Sequence, residues 1–93
     1  MNTPVREMRR EVRRPADGAV HVRFGSPRSI EIEGRLMDIS LSGFRMAHGC
    51  VTLVAGQVVE FKHGESAGKA KVMWNRVIES RVETGFLVVG AGK

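Results

Sequence analysis

The sequence predicts an all-β fold: a six-stranded antiparallel barrel, closed or split, preceded by a flexible arginine-rich N-terminal arm. Apolar residues recur at every second position, the period of a half-buried strand, and not at the helical period of about 3.6. Six such runs are short and are separated by glycine-rich or turn-rich stretches, a spacing typical of barrels and sandwiches. We favour a barrel because closure removes the exposed strand edges.

The predicted strands follow one another along most of the chain. The first places Val20, Val22 and Phe24 on one face, and the second begins with Ile30 and Ile32. The other four runs lie at residues 43–47, 57–62, 69–76 and 84–89. The first two runs alternate apolar and polar residues, so we expect one buried and one exposed face on each of these strands.

The alternation changes parity near the end of the second run. From Ile30 to Leu36 the even positions look buried, whereas from Met37 to Leu41 the odd positions are apolar. A β-bulge at this point would explain the change and would turn Asp38 and Ser40 together onto the outer face. The alternative is a strand buried on both sides, with Asp38 and Ser40 held by hydrogen bonds of a turn.

Length and composition limit the class of protein. Ninety-three residues fit one compact domain. No apolar run approaches the roughly 18 to 20 residues of a membrane span, and no apolar segment of a secretory signal follows the N-terminal charges. Cys50 is the single cysteine, which excludes an internal disulfide and agrees with a reducing compartment. We therefore expect a cytoplasmic domain without membrane insertion.

Positive charge is concentrated in the arm. Residues 1–14 hold five arginines and two glutamates, and so carry +3 of the net charge of +5. A weak helical spacing in this segment ends at Pro15, and so short a helix is not stable alone in water. We expect residues 1–14 to be flexible until an anionic partner orders them, and residues 15–93 to form the barrel.

The arm supplies the first candidate binding residues, Arg9, Arg10 and Arg13, directly before the first strand. A guanidinium group presents a planar fork of donors that matches phosphate oxygens and the O6/N7 edge of guanine, and it also stacks on base faces. The plainer interpretation is a solvated basic tail that aids solubility or binds polyanions generally.

The second candidate group is Asp38, Ser40 and Gly43. On a strand, Asp38 and Ser40 project to the same side, so that a carboxylate and a hydroxyl lie next to each other. A carboxylate can accept hydrogen bonds from guanine N1–H and N2–H₂. Gly43 permits a sharp or left-handed turn and a close approach of a ligand to the backbone. Taken alone, the segment is also an ordinary Asp/Ser turn.

Together the two groups resemble the PilZ domain family. The arm has an RxxxR pattern at positions 9–13, and the body has a DxSxxG pattern at positions 38–43, in the order that the family has them. Arg10 and Arg14 offer a second register for the first pattern. The resemblance runs from about Arg6 to Val89, with shorter similarities at Val20-His21-Val22, Gly56-Gln57-Val58-Val59, Val72-Met73-Trp74 and Gly85-Phe86.

The resemblance implies a receptor for the bacterial second messenger cyclic di-GMP. Arg9 and Arg13 would grip guanine edges and phosphate, and Arg10 would add phosphate or stacking contacts. Asp38 and Ser40 would hold a guanine from the barrel face. The arm would fold over the ligand and so create a surface that an effector protein can read.

The sequence argues against a metal site and against an enzyme. Three histidines and one cysteine lie on separate predicted elements, without the spacing of a zinc site, and we interpret the histidines as surface residues. No serine elbow or phosphate loop is present, so we expect no catalytic residues, no metal and no cofactor.

The main rival is a small basic barrel that binds RNA or single-stranded DNA, which needs exposed aromatic residues. We expect Trp74, Phe24, Phe61 and Phe86 to lie in the core instead. The third possibility is a degenerate PilZ domain that binds only protein partners.

Overall fold

The computed structural model describes residues 12–25, 27–49 and 52–91. All of the regular structure in this part of the chain is β-strand, and no helix there is long and apolar enough to cross a membrane. The strands are β1 (Arg14–Pro15), β2 (Ala19–Phe24), β3 (Ile30–Ile39), β4 (Gly43–His48), β5 (Val58–His63), β6 (Ser66–Ile78) and β7 (Arg81–Ala91).

Six of these strands form a closed antiparallel barrel, which confirms the predicted fold class. Around the ring the order is β3, β2, β5, β6, β7, β4, and the pairing of β4 with β3 closes it. Each pair in the ring is antiparallel. Each of the six ring strands pairs with a neighbour on both sides for at least part of its length, which is the condition for closure.

The predicted β-bulge is confirmed. The register of β3 against β4 shifts between Leu36 and Asp38, so that Met37 is the extra residue. Leu36 is buried in the core before the bulge, and Ile39 packs against the core after it. The bulge therefore keeps the apolar side chains inward while it places Asp38 on the outer side of the barrel.

Strand β1 lies outside the ring and covers the end of β3. Its two residues pair with β3, Arg14 opposite Ile39 and Pro15 opposite Asp38. The amide of Ala16 continues the pairing with a 3.1 Å hydrogen bond to the carbonyl of Met37. The last residue of the predicted arm, Arg14, therefore already belongs to the sheet, and its neighbour Arg13 lies beside Asp38.

The core is formed by the inward faces of all six ring strands. Three aromatic rings meet in it: Phe44 lies 4.7 Å from Phe86 and 5.0 Å from Phe61, measured between ring centroids. The buried apolar residues of this cluster are Val20, Val22, Ile32, Leu36, Phe44, Met46, Leu53, Val59, Phe61, Ala70, Val72 and Phe86. Phe24 packs against the cluster as a half-buried residue.

Trp74 does not belong to the core, so that prediction is wrong. The register of β6 against β7 shifts between Val72 and Trp74, which makes Met73 a second bulge residue. Val72 is fully buried, whereas Trp74 is 36% exposed on the outer face. The side chains at positions 72–74 are all apolar. Because apolar and polar residues do not alternate there, the hydrophobic pattern could not predict this bulge.

A chain of hydrogen bonds connects the buried His48 to the β4–β5 connection. The Asn75 amide donates to the Leu53 carbonyl (2.9 Å), so its oxygen faces Thr84. The Thr84 hydroxyl donates to this oxygen (2.7 Å), and His48 Nε2 lies 2.7 Å from the same hydroxyl. His48 Nε2 therefore carries the proton and donates it. The prediction that the histidines lie on the surface is wrong for His48, which is 5% exposed.

The buried position of His48 predicts a loss of stability in mild acid. Burial lowers the pKa of His48, since protonation would place a charge where water is scarce. The unfolded chain takes up this proton below about pH 6.5 and the folded chain only at lower pH, so the free energy of unfolding falls as the pH drops through that window. Burial also lowers the pKa of His63, so His63 changes the free energy of unfolding with pH in the same direction.

Urea unfolding at about pH 7.5 and about pH 5.5 checks this prediction. For the wild type we expect a lower urea midpoint at about pH 5.5 than at about pH 7.5. In His48→Gln, whose amide can still donate to Thr84, the difference between the midpoints at the two pH values should be smaller. The exposed His21 provides the matched control, His21→Gln, which should retain the wild-type difference. An unchanged pH dependence in His48→Gln would contradict the assignment.

Candidate functional site

The β3–β4 hairpin brings Asp38 and Arg45 together on the outer face. Asp38 pairs with Arg45 and Ile39 pairs with Phe44. Because Phe44 and Ile39 face the core, the adjacent pair, Asp38 and Arg45, faces outward. The hairpin closes tightly: the amide of Ser40 donates to the carbonyl of Gly43 at 2.8 Å.

The carboxylate of Asp38 is enclosed by two arginines. Arg13 Nη1 donates to Oδ1 at 2.9 Å, and Arg45 donates to Oδ2 through Nε at 2.8 Å and also through Nη2. The side chain of Asp38 is 9% exposed, against 41% for Arg13 and 28% for Arg45. The hydrogen bonds with Asp38 raise the pKa of Arg45. Asp38 thus lies on the outer face, as predicted, but is covered by arginine side chains.

Ser40 lies just beyond the last residue of β3 and not within the strand. Its hydroxyl is 3.4 Å from the carbonyl oxygen of Gly43, a long hydrogen bond. Ser40 is half-buried next to the exposed Leu41. The prediction that Asp38 and Ser40 lie in one strand is therefore wrong for Ser40. Asp38 belongs to β3, whereas Ser40 lies in the turn that follows.

Gly43 is required for a reason other than the predicted one. It is not among the glycines with positive φ, so the turn does not need a left-handed residue there. Gly43 pairs with Leu87 of β7, and a Cβ atom added at Gly43 would overlap with the carbonyl oxygen of Phe86. Glycine permits the close approach of β4 to β7 at this point.

The arm is described from Val12 onward. Arg9 and Arg10, predicted to bind the ligand, lie outside the described residues. Arg13 reaches Asp38, whereas its neighbour Arg14 is an exposed residue of β1 paired with Ile39. Arg13 is therefore the described arginine of the arm that meets the second motif.

The outer face also carries a tryptophan that the sequence analysis assigned to the core. Trp74 pairs with Gly85, where an added Cβ would overlap with the indole ring, so the ring lies against the glycine backbone. The guanidinium carbon of Arg76 lies 5.6 Å from the ring centroid. Arg76 and Arg81 donate to the carboxylate of Glu83 at 3.1 and 2.8 Å. The hydrogen bond from Arg76 is the main cause of a lowered pKa of Glu83.

Cross-strand pairing places these groups in one row. Asp38, Arg45, Gly85 and Trp74 are successive partners on β3, β4, β7 and β6. With neighbouring strands about 4.8 Å apart, the row spans about 14 Å. It offers a carboxylate acceptor, arginine donors and a flat aromatic surface, a set of groups that suits a nucleotide.

Arg45 is the residue of this site that the sequence analysis missed. Its signal was present: Asp38 and Arg45 are equally distant from the two-residue turn, Leu41 and Ser42, as antiparallel pairing requires.

Comparison of the sequence with protein families and with curated proteins identifies no relative. No protein-family model matches the chain, and no curated protein is similar to it in sequence.

Proposed function

We propose that this chain is a receptor for cyclic di-GMP in the bacterial cytoplasm, and that it signals to an effector protein by ordering its N-terminal arm on the barrel. The observation that carries the proposal is the contact between Arg13 and Asp38. These residues belong to the two motifs that resemble the PilZ family, and although 25 positions separate them their side chains are 2.9 Å apart.

The proposed binding step is an exchange of partners at Asp38. The ligand's guanine donates to the Asp38 carboxylate through N1–H and N2–H₂, and Arg13 moves from the carboxylate to a phosphate or to the O6/N7 edge. Ser40 can turn its hydroxyl to the ligand because the present hydrogen bond is long. Arg9 and Arg10 add contacts to phosphate and base from the arm.

Signal relay follows from the position of the arm. Arg14 and Pro15 are anchored to β3, so a ligand beside Asp38 lies where the arm leaves the barrel. Contacts from Arg9 and Arg10 to the ligand would then hold the preceding residues against the face. The ordered arm and the ligand together form the surface that the effector protein reads.

Isothermal titration with cyclic di-GMP tests the proposal, with GTP and a short single-stranded oligonucleotide as controls. We expect saturable binding at about micromolar concentration or below for cyclic di-GMP alone. Limited trypsin digestion of the same samples should show that the arm arginines are protected when the ligand is present. Cleavage of the arm at the same rate with and without ligand would refute the relay, and no binding of cyclic di-GMP would refute the receptor.

The exposure of Trp74 favours one rival function, the binding of single-stranded nucleic acid. An exposed indole with an arginine above it offers the kind of surface on which bases stack. Binding of this kind would weaken steeply with salt and would tolerate many sequences. Binding of the oligonucleotide but not of cyclic di-GMP would support it, whereas no binding of either ligand leaves a PilZ-like protein-interaction module.

A further inference from the structure

We infer that Arg45, which lies outside both motifs, is the positioning residue of the ligand site: it holds Oδ2 of Asp38 and leaves Oδ1 as the oxygen exchanged between Arg13 and the ligand's guanine. This inference rests on the proposed function. It names a binding determinant on β4, a strand to which the two motifs contribute only Gly43.

The two oxygens of the carboxylate are held differently. Oδ2 accepts two hydrogen bonds from one guanidinium group, through Nε and Nη2 of Arg45. From the part of the chain that the structure describes, Oδ1 accepts one hydrogen bond, from Nη1 of Arg13. A carboxylate oxygen has about two lone-pair sites, so Arg45 occupies Oδ2 fully whereas Oδ1 retains capacity.

The two arginines also differ in how firmly the backbone holds them. Arg45 is in the middle of β4, between β3 and β7, and is the direct cross-strand partner of Asp38. Arg13 precedes the two-residue strand β1, and its side chain is more exposed, 41% against 28%. Release of Arg13 therefore disturbs only the arm, while release of Arg45 would require a change within the barrel.

The surrounding charges keep Arg45 on Asp38. Among the described residues, the other carboxylate near Arg45 is Glu83 on β7, which contributes to the raised pKa of Arg45 after the contributions of Asp38. Both oxygens of Glu83 already accept from arginines, Oε1 from Arg76 and Oε2 from Arg81. Gly85, the partner of Arg45 on β7, has no side chain to compete for the guanidinium group.

A double-mutant cycle tests the inference. Titration with cyclic di-GMP would compare wild type, Arg45→Gln, Asp38→Ala and the double variant, with urea unfolding to show that each is folded. We expect Arg45→Gln to weaken binding by about 10-fold in the wild type and by less than about 2-fold in the Asp38→Ala background, because Arg45 acts through Asp38. Arg45→Lys, which offers a single donor head, should restore part of the loss.

The matched control is Arg23→Gln on β2, which also removes an arginine charge and an ion pair, here with Glu60 at 2.7 Å. We expect it to leave the affinity unchanged. An equal loss from Arg45→Gln in both backgrounds would overturn the inference, since Arg45 would then act on the ligand or the fold directly. An equal loss from Arg23→Gln would also overturn it, since total charge alone would explain the effect.

A ligand-free measurement separates this inference from the receptor proposal. In the free protein the Nε–H of Arg45 should exchange with water more slowly than that of Arg23. The Nε of Arg45 is half-buried and donates to Asp38 at 2.8 Å, whereas the Nε of Arg23 is exposed and donates to Glu60 at 3.2 Å. The slow exchange should survive Arg13→Ala and disappear in Asp38→Ala. If wild type bound no cyclic di-GMP, the receptor proposal would fail whatever the exchange rates. Exchange of Arg45 as fast as that of Arg23 would overturn the inference by itself.

Discussion

Replacing Asp38 by alanine is expected to weaken cyclic di-GMP binding by about 10- to 100-fold, about 1 to 3 kcal/mol, through the loss of the charge-assisted acceptor for the guanine. Arg13 and Arg45 both lose their carboxylate partner in this variant. The half-buried Arg45 should suffer more, since its charge stays where water solvates it poorly. Stability is therefore expected to fall together with affinity, and titration and urea unfolding measure the two separately.

Asp17→Ala is the matched control for this prediction. Asp17 is also an aspartate paired with an arginine, Arg35 at 3.2 Å, but its side chain is 74% exposed. Exposed pairs of this kind contribute little to stability, so affinity and urea midpoint should both stay near wild type. If Asp38→Ala behaved like Asp17→Ala in the titration, Asp38 would not be the guanine acceptor.

Replacing Gly43 by alanine is expected to destabilise the barrel by about 1 to 3 kcal/mol, the range for adding a methyl group where there is no room. The added Cβ would overlap with the backbone carbonyl of Phe86, and a backbone atom moves only if the strands move. Since Gly43 begins β4, the shift would displace Arg45 and loosen the contact with Asp38. Urea unfolding measures the loss, and titration should show weaker binding of cyclic di-GMP.

Gly49→Ala controls for the general effect of replacing glycine by alanine. Gly49 is exposed just after β4 and its φ is not positive. Apart from its chain neighbours, no described residue has an atom within 4 Å of an added Cβ. Alanine should be neutral there or stabilise by up to about 1 kcal/mol, because it restricts the unfolded chain. Equal stability of the two variants would show that β4 and β7 do not need the close approach.

The strands could be predicted because their pattern is local. Val20, Val22 and Phe24 alternate with polar residues, and each inward side chain has an outward neighbour. The bulge at Met37 could be predicted for the same reason, since the parity of the apolar positions changes there while the run continues. The bulge at Met73 could not, because Val72, Met73 and Trp74 are all apolar and no parity can be read from them.

Trp74 illustrates what the hydrophobic pattern leaves open. A large aromatic side chain is usually buried, and its even position matched Val72, so the core was the natural assignment. The bulge turned it outward instead, against Gly85 and under Arg76. The outward position of Trp74 favours the rival function, because a protein that binds single-stranded nucleic acid needs exposed aromatic rings on which bases can stack.

The candidate site was predictable in part. Asp38 was identified by its chemistry and by the parity change, and Arg13 by its place in the arm. Their contact depends on β1, whose two residues are too short to show a pattern. Arg45 was overlooked because a single charged residue between Phe44 and Met46 looks like an ordinary exposed strand position.

Residue order was enough to predict the all-β class, the six ring strands, the bulge at Met37 and the candidate residues of the arm and the hairpin other than Arg45. The tertiary structure was needed for the long-range pairings of β2 with β5 and of β4 with β7, for the contacts of Arg13 and Arg45 with opposite oxygens of Asp38, and for the outward position of Trp74. The difference lies in the distance along the chain over which each feature is set. Alternation is set between neighbouring residues, whereas cross-strand partners and the register after a bulge are settled by the closure of the barrel.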